Sequence, residues 1–319
     1  AADRLGSHET VLLALLNGTN VDFSKDTSLI SKLDGIRTDM VAQESNGVDM
    51  FVDTFLQKPY LDAQRRLILW ADLVRRDVDY AKVVRSNANE FLKTMAADTW
   101  SFASRSYESV PLSFGDWMPA ASSKLATIQN WETIEVTIAQ ASGATAIGRG
   151  AVPGKPVQIE IVDAAGASLG VRVGFVRTRG NPLAQEKYTR PRYPDIHQAA
   201  LTSGKTLNYT TAWGGPLFLS YSGATAGSTV KLRVRGGTKY AHFDFTRTPT
   251  TAELDEAVQA LNRADFGWQT SKMTGGEVQQ TIAYAKSAIG TREPKSYVVD
   301  RLKGMIFDSN HLANGYNNI

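Results

Sequence analysis

The sequence predicts a multi-domain α+β protein: an N-terminal helical domain, then an antiparallel β-sandwich, then the helical start of a further domain. Apolar residues recur at helical spacing up to residue 108, alternate with polar residues up to residue 247, and then return to helical spacing. Net charge changes at the same places, from −3 over residues 1–108 to +7 over residues 109–247 and −1 over residues 248–319. We therefore predict three domains with these boundaries, the last one incomplete.

The helical prediction for residues 1–108 rests on two stretches. Ser7 is a suitable N-cap for a helix that begins at Glu9 and ends before Gly18. The stretch from Leu61 to Trp100 carries the strongest periodicity. Its predicted buried face contains Leu67, Leu69, Trp70, Leu73, Val74, Val78, Tyr80 and Val83. Its predicted polar face contains Arg65, Arg66, Arg75, Arg76 and Asp77. Three tryptophans lie in apolar patterns and are predicted to be core residues: Trp70, Trp100 and Trp131.

The β-sandwich prediction rests on five runs of period two separated by Gly- and Pro-containing turns. Short strands with one apolar face are typical of two sheets that pack face to face. The runs are residues 134–138, 157–161, 171–175, 217–221 and 230–234. After them, Thr250 and Thr251 predict a helix start. Gly275 and Gly276 predict a break, and residues 277–289 a second helix.

Composition excludes several function classes. The sequence has no cysteine, which excludes disulfides, a thiolate nucleophile and cysteine-ligated zinc. A formal charge of +3 is too balanced for a dedicated nucleic-acid binder. No apolar run is long enough to span a bilayer. The four histidines are scattered, and His8-Glu9 has leucine where a zinc-protease helix needs its second histidine.

Two glycine-containing motifs also lack the context that their chemistry requires. The segment 166–170 matches a nucleophile elbow, but a strand rather than a helix follows it, so we predict a hairpin turn. The segment 148–150 is glycine-rich, but Pro153 and a strand follow it, so we predict a loop before a strand. Neither motif supplies a catalytic residue, and no serine, histidine and aspartate set can be assembled.

A basic, aromatic stretch of the sandwich is the candidate binding site. Five arginines accompany a glycine-flanked tryptophan and a tyrosine: Arg172, Arg177, Arg179, Arg190, Arg192, Trp213 and Tyr209. Arginine binds acidic groups, and an aromatic ring beside glycines stacks on sugar faces. A solvated strand face and ordinary packing explain the same residues, and both interpretations stay open. The hypothesis is a glycan-binding face.

Several segments in order resemble the β-sandwich that precedes the catalytic domain of enhancin-like zinc metallopeptidases, which degrade mucins and other O-glycoproteins. The segments are residues 148–159, 171–176, 190–194, 212–219, 230–237 and 240–243. Within the family, a helical domain before the sandwich resembles bacterial members. The resemblance implies a secreted bacterial zinc metalloendopeptidase that acts on O-glycosylated host glycoproteins.

The resemblance also implies what this chain lacks. The family's activity depends on a His-Glu-x-x-His helix and a downstream glutamate, which bind zinc and activate water. None of these has a counterpart here, so we expect no catalytic residue and no metal ligand within this chain, with zinc implied only for the complete enzyme. We therefore expect a non-catalytic N-terminal portion whose partner is its own downstream catalytic domain. The alternatives are a stand-alone carbohydrate-binding or adhesin module and a purely structural interaction domain.

Overall fold

The computed structural model describes residues 22–25, 27–45, 59–79, 82–100, 125–173, 186–188, 198–211 and 214–314. Contacts divide the chain into two units. The helical unit comprises residues 1–109 and 177–196, and the β-rich unit comprises residues 110–176 and 197–319. Helices come first, two antiparallel sheets follow, and further helices come after them, which confirms the predicted α+β class.

The helical unit is organised around buried aromatic rings. Phe23 stacks on Trp70 with 5.6 Å between ring centroids, and Trp70 packs at a tilt against Trp100 at 5.9 Å. The indole N–H of Trp100 donates to the carbonyl of Leu33 at 3.1 Å, so the buried polar atom is satisfied. This confirms Trp70 and Trp100 as core residues. The described helices of this unit are α1 (Thr27–Ser45), α2 (Pro59–Arg76) and α3 (Ala88–Trp100).

The predicted faces of α2 are wrong at three positions. Arg75 is buried and forms an ion pair with Asp98 of α3, and both side chains are 0% exposed. Leu69 and Leu73 are 41% and 56% exposed. The buried face of α2 recurs at helical spacing but includes three polar residues, and these polar residues are the reason why the hydrophobic pattern predicted the wrong face. Its members are Gln64, Leu67, Ile68, Ala71, Asp72 and Arg75. The helix predicted from Glu9, with its N-cap Ser7, lies outside the described residues.

Eight strands of the β-rich unit form two four-stranded antiparallel sheets. The order is β1-β8-β3-β6 in the first sheet and β2-β7-β4-β5 in the second. Alternate residues such as Ile159 and Val171 are buried. The strands are β1 (Glu132–Thr137), β2 (Ser142–Ala151), β3 (Val157–Asp163), β4 (Ser168–Val173), β5 (Gln198–Ala200), β6 (Leu207–Tyr209), β7 (Gly215–Ser222) and β8 (Thr229–Gly236). The five predicted runs overlap β1, β3, β4, β7 and β8, and residues 174–175 of the third run lie outside the described residues.

Three sequence predictions in this unit are wrong in detail. Residues 148–150 lie inside β2 and not in a loop. The strand is rich in glycine and alanine, which have low β-propensity, so the sequence does not predict it. Its extended conformation comes from pairing with β7, with a register shift between Ala146 and Gly150. The turn before Ser168 joins strands of different sheets, so it is not a hairpin. Trp131 is only half-buried, and the guanidinium carbons of Arg233 and Arg235 lie 4.8 and 5.0 Å from its ring.

A third sheet follows the eight strands. Strand β10 (Trp268–Met273) lies between β9 (Ala241–Asp244), which is parallel to it, and β11 (Gly276–Thr281), which is antiparallel. The predicted helix start is confirmed: Thr250 caps α4 (Thr251–Arg263) in a capping box with Glu253. The predicted helix over residues 277–289 is wrong before residue 282. Residues 276–281 pair with β10, and α5 (Ile282–Ile289) begins only after them.

The described chain ends in three consecutive helical segments. These are α6 (Pro294–Ser296), a π-helix (Tyr297–Asp308) and α7 (Ser309–Ala313). Val298, Leu302 and Phe307 of the π-helix share one core with α4, α5 and β9. None of the helices in the described ranges is long and apolar enough to cross a membrane.

Candidate functional site

The structure describes two of the residues predicted to contact glycan. Arg172 lies on β4 and Tyr209 ends β6, so they belong to different sheets of the sandwich. The other predicted residues lie outside the described ranges: Arg177, Arg179, Arg190, Arg192 and Trp213.

Tyr209 is a buried residue of the sandwich. Its side chain is 1% exposed, and its hydroxyl accepts a hydrogen bond from the backbone N–H of Val173 at 3.1 Å. Because β6 and β4 belong to opposite sheets, this bond joins the two sheets. The hydroxyl thereby satisfies a backbone donor inside the core.

Arg172 projects from the outer face of the second sheet. Its neighbours Val171 and Val173 are buried, and the alternation of a strand turns the arginine to the opposite side. Its guanidinium carbon lies 5.9 Å from the ring centroid of Phe218. Arg172 is half-buried, and Phe218, its partner in register on β7, is buried on the same face.

A groove of about 690 Å³ opens beside Arg172. Gly170 keeps it open, because a Cβ there would lie 2.8 Å from the hydroxyl oxygen of Ser220. That oxygen is buried and has no hydrogen-bond partner within the described part of the chain. Gln198 adds an exposed amide on the neighbouring strand β5. The groove therefore offers a guanidinium for anions, and an amide and a hydroxyl for sugar hydroxyl groups.

A second polar cluster, on the third sheet, was missed by sequence reasoning. The hydroxyl of Thr270 lies 2.8 Å from the hydroxyl of Tyr240 and 2.6 Å from Nδ1 of His242. Burial, and then the charge of Lys272, lower the pKa of His242 to about 3, so its imidazole is neutral. Burial raises the pKa of Tyr240. The signal in the sequence was the polar run at residues 269–272, in which all four side chains are buried.

Asp244 belongs to the same cluster. Burial pushes the pKa of its carboxyl upwards, but Lys272 and the Thr246 hydroxyl outweigh burial and hold the pKa below its usual value. The Lys272 ammonium lies 3.5 Å from the carboxylate. The cluster thus holds a buried ion pair next to a neutral histidine.

The described residues do not fit a zinc site. Among them, no three histidine, aspartate or glutamate side chains come close enough together to hold a metal ion. The polar cluster of the third sheet brings His242 and Asp244 near a lysine, and a cation in that place would meet the repulsion of its ammonium. No step of a metal-dependent reaction is therefore derived from these residues.

A family model and a curated relative both match this chain. Residues 18–106 match the family described as the immunomodulating metalloprotease helical domain. A curated protein from Pseudomonas aeruginosa, the immunomodulating metalloprotease, is 28% identical over 283 residues, which are 85% of this chain and 31% of that protein.

Solved structures give the same result. The IMPa metallopeptidase from Pseudomonas aeruginosa superposes with a TM-score of 0.74 and 25% identity, over 90% of this chain and 32% of that one. An IMPa metallopeptidase in complex with T-antigen gives a TM-score of 0.66 at 25% identity, over 88% and 30% of the two chains. The chain thus spans about a third of the length of these relatives. The resemblance to bacterial members of a metallopeptidase family is confirmed: over most of its length, this chain is similar to a part of the immunomodulating metalloprotease.

Proposed function

We propose that this chain is the non-catalytic portion of a secreted zinc metalloendopeptidase that cleaves O-glycosylated proteins. One observation carries the proposal: the chain is similar along 85–90% of its length to a metallopeptidase of which it covers only about a third. Zinc and the catalytic residues then belong to the remainder of the enzyme.

Within this proposal, residues 1–108 form the accessory helical domain, residues 109–247 the sandwich, and residues 248–319 the start of the peptidase domain. The exposed apolar residues of the last segment support a packing role for it. Tyr284, Met305 and Leu312 are 73%, 57% and 72% exposed. Large apolar side chains at the surface favour a protein contact, and we assign that contact to the peptidase domain.

The sandwich has a second role in the proposal, which is to contact the O-glycan of the substrate. The groove beside Arg172 supports this role through the guanidinium of that residue and a buried Ser220 hydroxyl without a described partner. A relative has been solved with T-antigen. A glycan held here would present the glycosylated chain to the peptidase domain.

The alternative is a stand-alone carbohydrate-binding or adhesin module. The same groove favours it, since a module needs only a binding face. The two functions differ in affinity. A module must hold its glycan without help, whereas a presenting face adds weak contacts to those of the peptidase domain.

A titration of the complete chain with T-antigen, followed by NMR, tests the proposal. We expect millimolar binding that Arg172→Ala and Trp213→Ala weaken. Arg233→Ala, on the outer face of the other sheet, is the matched control and should leave binding unchanged. Micromolar or tighter binding would overturn the presenting role in favour of the module. No binding at all would overturn glycan contact and leave the sandwich as a scaffold.

A further inference from the structure

A row of three charged side chains crosses the third sheet. Lys272 of β10 is in register with Asp244 of β9 and with Glu277 of β11. Residues in register on neighbouring strands project to the same face, so one ammonium lies between two carboxylates. Lys272 is 2% exposed, and burial raises the pKa of Glu277. Burial of three charged side chains costs free energy unless neighbouring groups compensate their charges, so the contacts of the row show what stabilises it.

The row faces strand β2 of the sandwich. The ammonium of Lys272 lies 3.3 Å from the hydroxyl of Thr145 and 3.5 Å from the carboxylate of Asp244. Glu277 accepts a hydrogen bond from the backbone N–H of Ala146 at 3.1 Å. Charge-assisted hydrogen bonds are usually about 2.7–2.9 Å long, and an ammonium has three N–H donors. Lys272 is thus held by two long contacts and retains the capacity to donate to a further oxygen.

Lys272 and Glu277 line a cavity of about 450 Å³, a size within the ~300–1,000 Å³ range of ligand sites. Its other polar lining comes from hydroxyl and amide groups, among them those of Thr137, Gln140 and Thr246, and from the imidazole of His311. Hydroxyl and amide groups both donate and accept hydrogen bonds. The cavity therefore combines many hydrogen-bonding groups with one positive and one negative side chain.

This lining selects the chemistry of a ligand. The Lys272 ammonium already pairs with Asp244 at 3.5 Å, so the cavity offers little positive charge to an anion, whereas a cation would meet the Lys272 ammonium; a ligand without charged groups is therefore favoured. Several hydroxyl groups on one small ring provide both donors and acceptors, and so suit a lining of hydroxyls, an amide, an ammonium and a carboxylate. We propose that this cavity binds one neutral sugar ring through its hydroxyls.

The cavity adjoins the groove beside Arg172. Ala144 and Tyr221 line both, so the two form neighbouring parts of one surface at the edge of the sandwich. A glycan that crosses the groove reaches the cavity with its next sugar. The link between the groove and the cavity rests on the proposed glycan contact of the sandwich. The cavity is the place where a single sugar ring of that glycan is held.

Titration of the complete chain with methyl hexosides and N-acetylhexosamines, followed by saturation-transfer NMR, tests the assignment. We expect these neutral sugars to bind, and glucosamine and glucuronic acid, which are charged, to bind at least about threefold more weakly. Lys272→Met removes the central donor. Gln140→Ala, at an exposed position, and Thr137→Val, at a half-buried one, keep the test valid if Lys272→Met fails to fold. Each of these two should weaken binding about three- to tenfold, as expected for one lost hydrogen bond.

Arg172→Ala separates this assignment from the proposed function. Monosaccharide binding that Gln140→Ala weakens and Arg172→Ala leaves unchanged supports the cavity, whatever the T-antigen titration shows. Monosaccharide binding that Arg172→Ala alone abolishes places the sugar in the groove, which overturns the cavity and leaves the glycan contact standing. Absence of binding by any neutral sugar, or binding that neither Gln140→Ala nor Thr137→Val weakens, also overturns it.

Discussion

The ion pair between Arg75 and Asp98 gives the sharpest stability prediction. It joins α2 to α3, and neither side chain is exposed to solvent. Removal of one partner leaves the other charge buried without its counterion, which costs about 3–5 kcal/mol. Replacement of both by apolar residues removes the pair together with its desolvation cost, so its effect is much smaller. We therefore expect Arg75→Met and Asp98→Ala each to lower the free energy of unfolding by about 3–5 kcal/mol.

The double variant Arg75→Met/Asp98→Ala distinguishes two causes of the lost stability: a buried charge without its counterion, and simple loss of packing. Urea unfolding of the complete chain, followed by far-UV circular dichroism, gives the free energies for a double-mutant cycle. The double variant should be closer to the parent than either single variant. Arg66→Met is the matched control: Arg66 pairs with Asp62 at 2.7 Å, but its side chain is 49% exposed, so the loss should stay below about 1 kcal/mol. Single losses as small as the control's, or a double loss equal to the sum of the two, would refute the reasoning.

Three other predictions concern the β-rich unit. A Cβ at Gly150 would lie 2.2 Å from the ring of Phe266, so Gly150→Ala should cost about 1–3 kcal/mol in urea unfolding, and an unchanged midpoint would contradict the packing. Thr250→Ala removes the cap of α4 and should cost about 1 kcal/mol, whereas Thr250→Ser should restore most of it. His242 has a folded pKa of about 3 against 6.5 when unperturbed, so protonation of the unfolded chain lowers stability as pH falls from 6.5 towards 3. The free energy of unfolding should fall by about 1–2 kcal/mol more between pH 7 and pH 5 in the parent than in His242→Gln, and equal pH dependence of the two would disprove the neutral imidazole.

The sandwich strands were predictable where the side chains carry the pattern. In β3 and β8, branched apolar residues such as Ile159 and Val234 alternate with charged ones, and that period is set by the strand itself. Strand β2 has no such signal, because its small residues owe their conformation to pairing with β7. Residues 276–281 also lack a pattern of their own, because Val278 and the flanking polar residues fit a helix as well as a strand. Pairing with β10 makes this segment a strand.

The candidate site was less predictable. Arg172 could be found because a strand alternation places it outside, and its neighbours are plainly apolar. The row of Asp244, Lys272 and Glu277 could not, since its members come from three strands and only the register brings them together. From the sequence alone, a charged residue such as Lys272 is predicted to be exposed to solvent. It is buried because the third sheet packs against β2, where Lys272 contacts Thr145.

Digestion of a mucin-type O-glycoprotein tests the central claim most directly. The complete chain is incubated with the glycoprotein and zinc, with and without a chelator, and fragments are identified by mass spectrometry, with the Pseudomonas immunomodulating metalloprotease as positive control. If the chain is the non-catalytic portion proposed above, no fragments form in either condition. Fragments that appear with zinc and disappear with the chelator would contradict the account and place a catalytic centre within this chain.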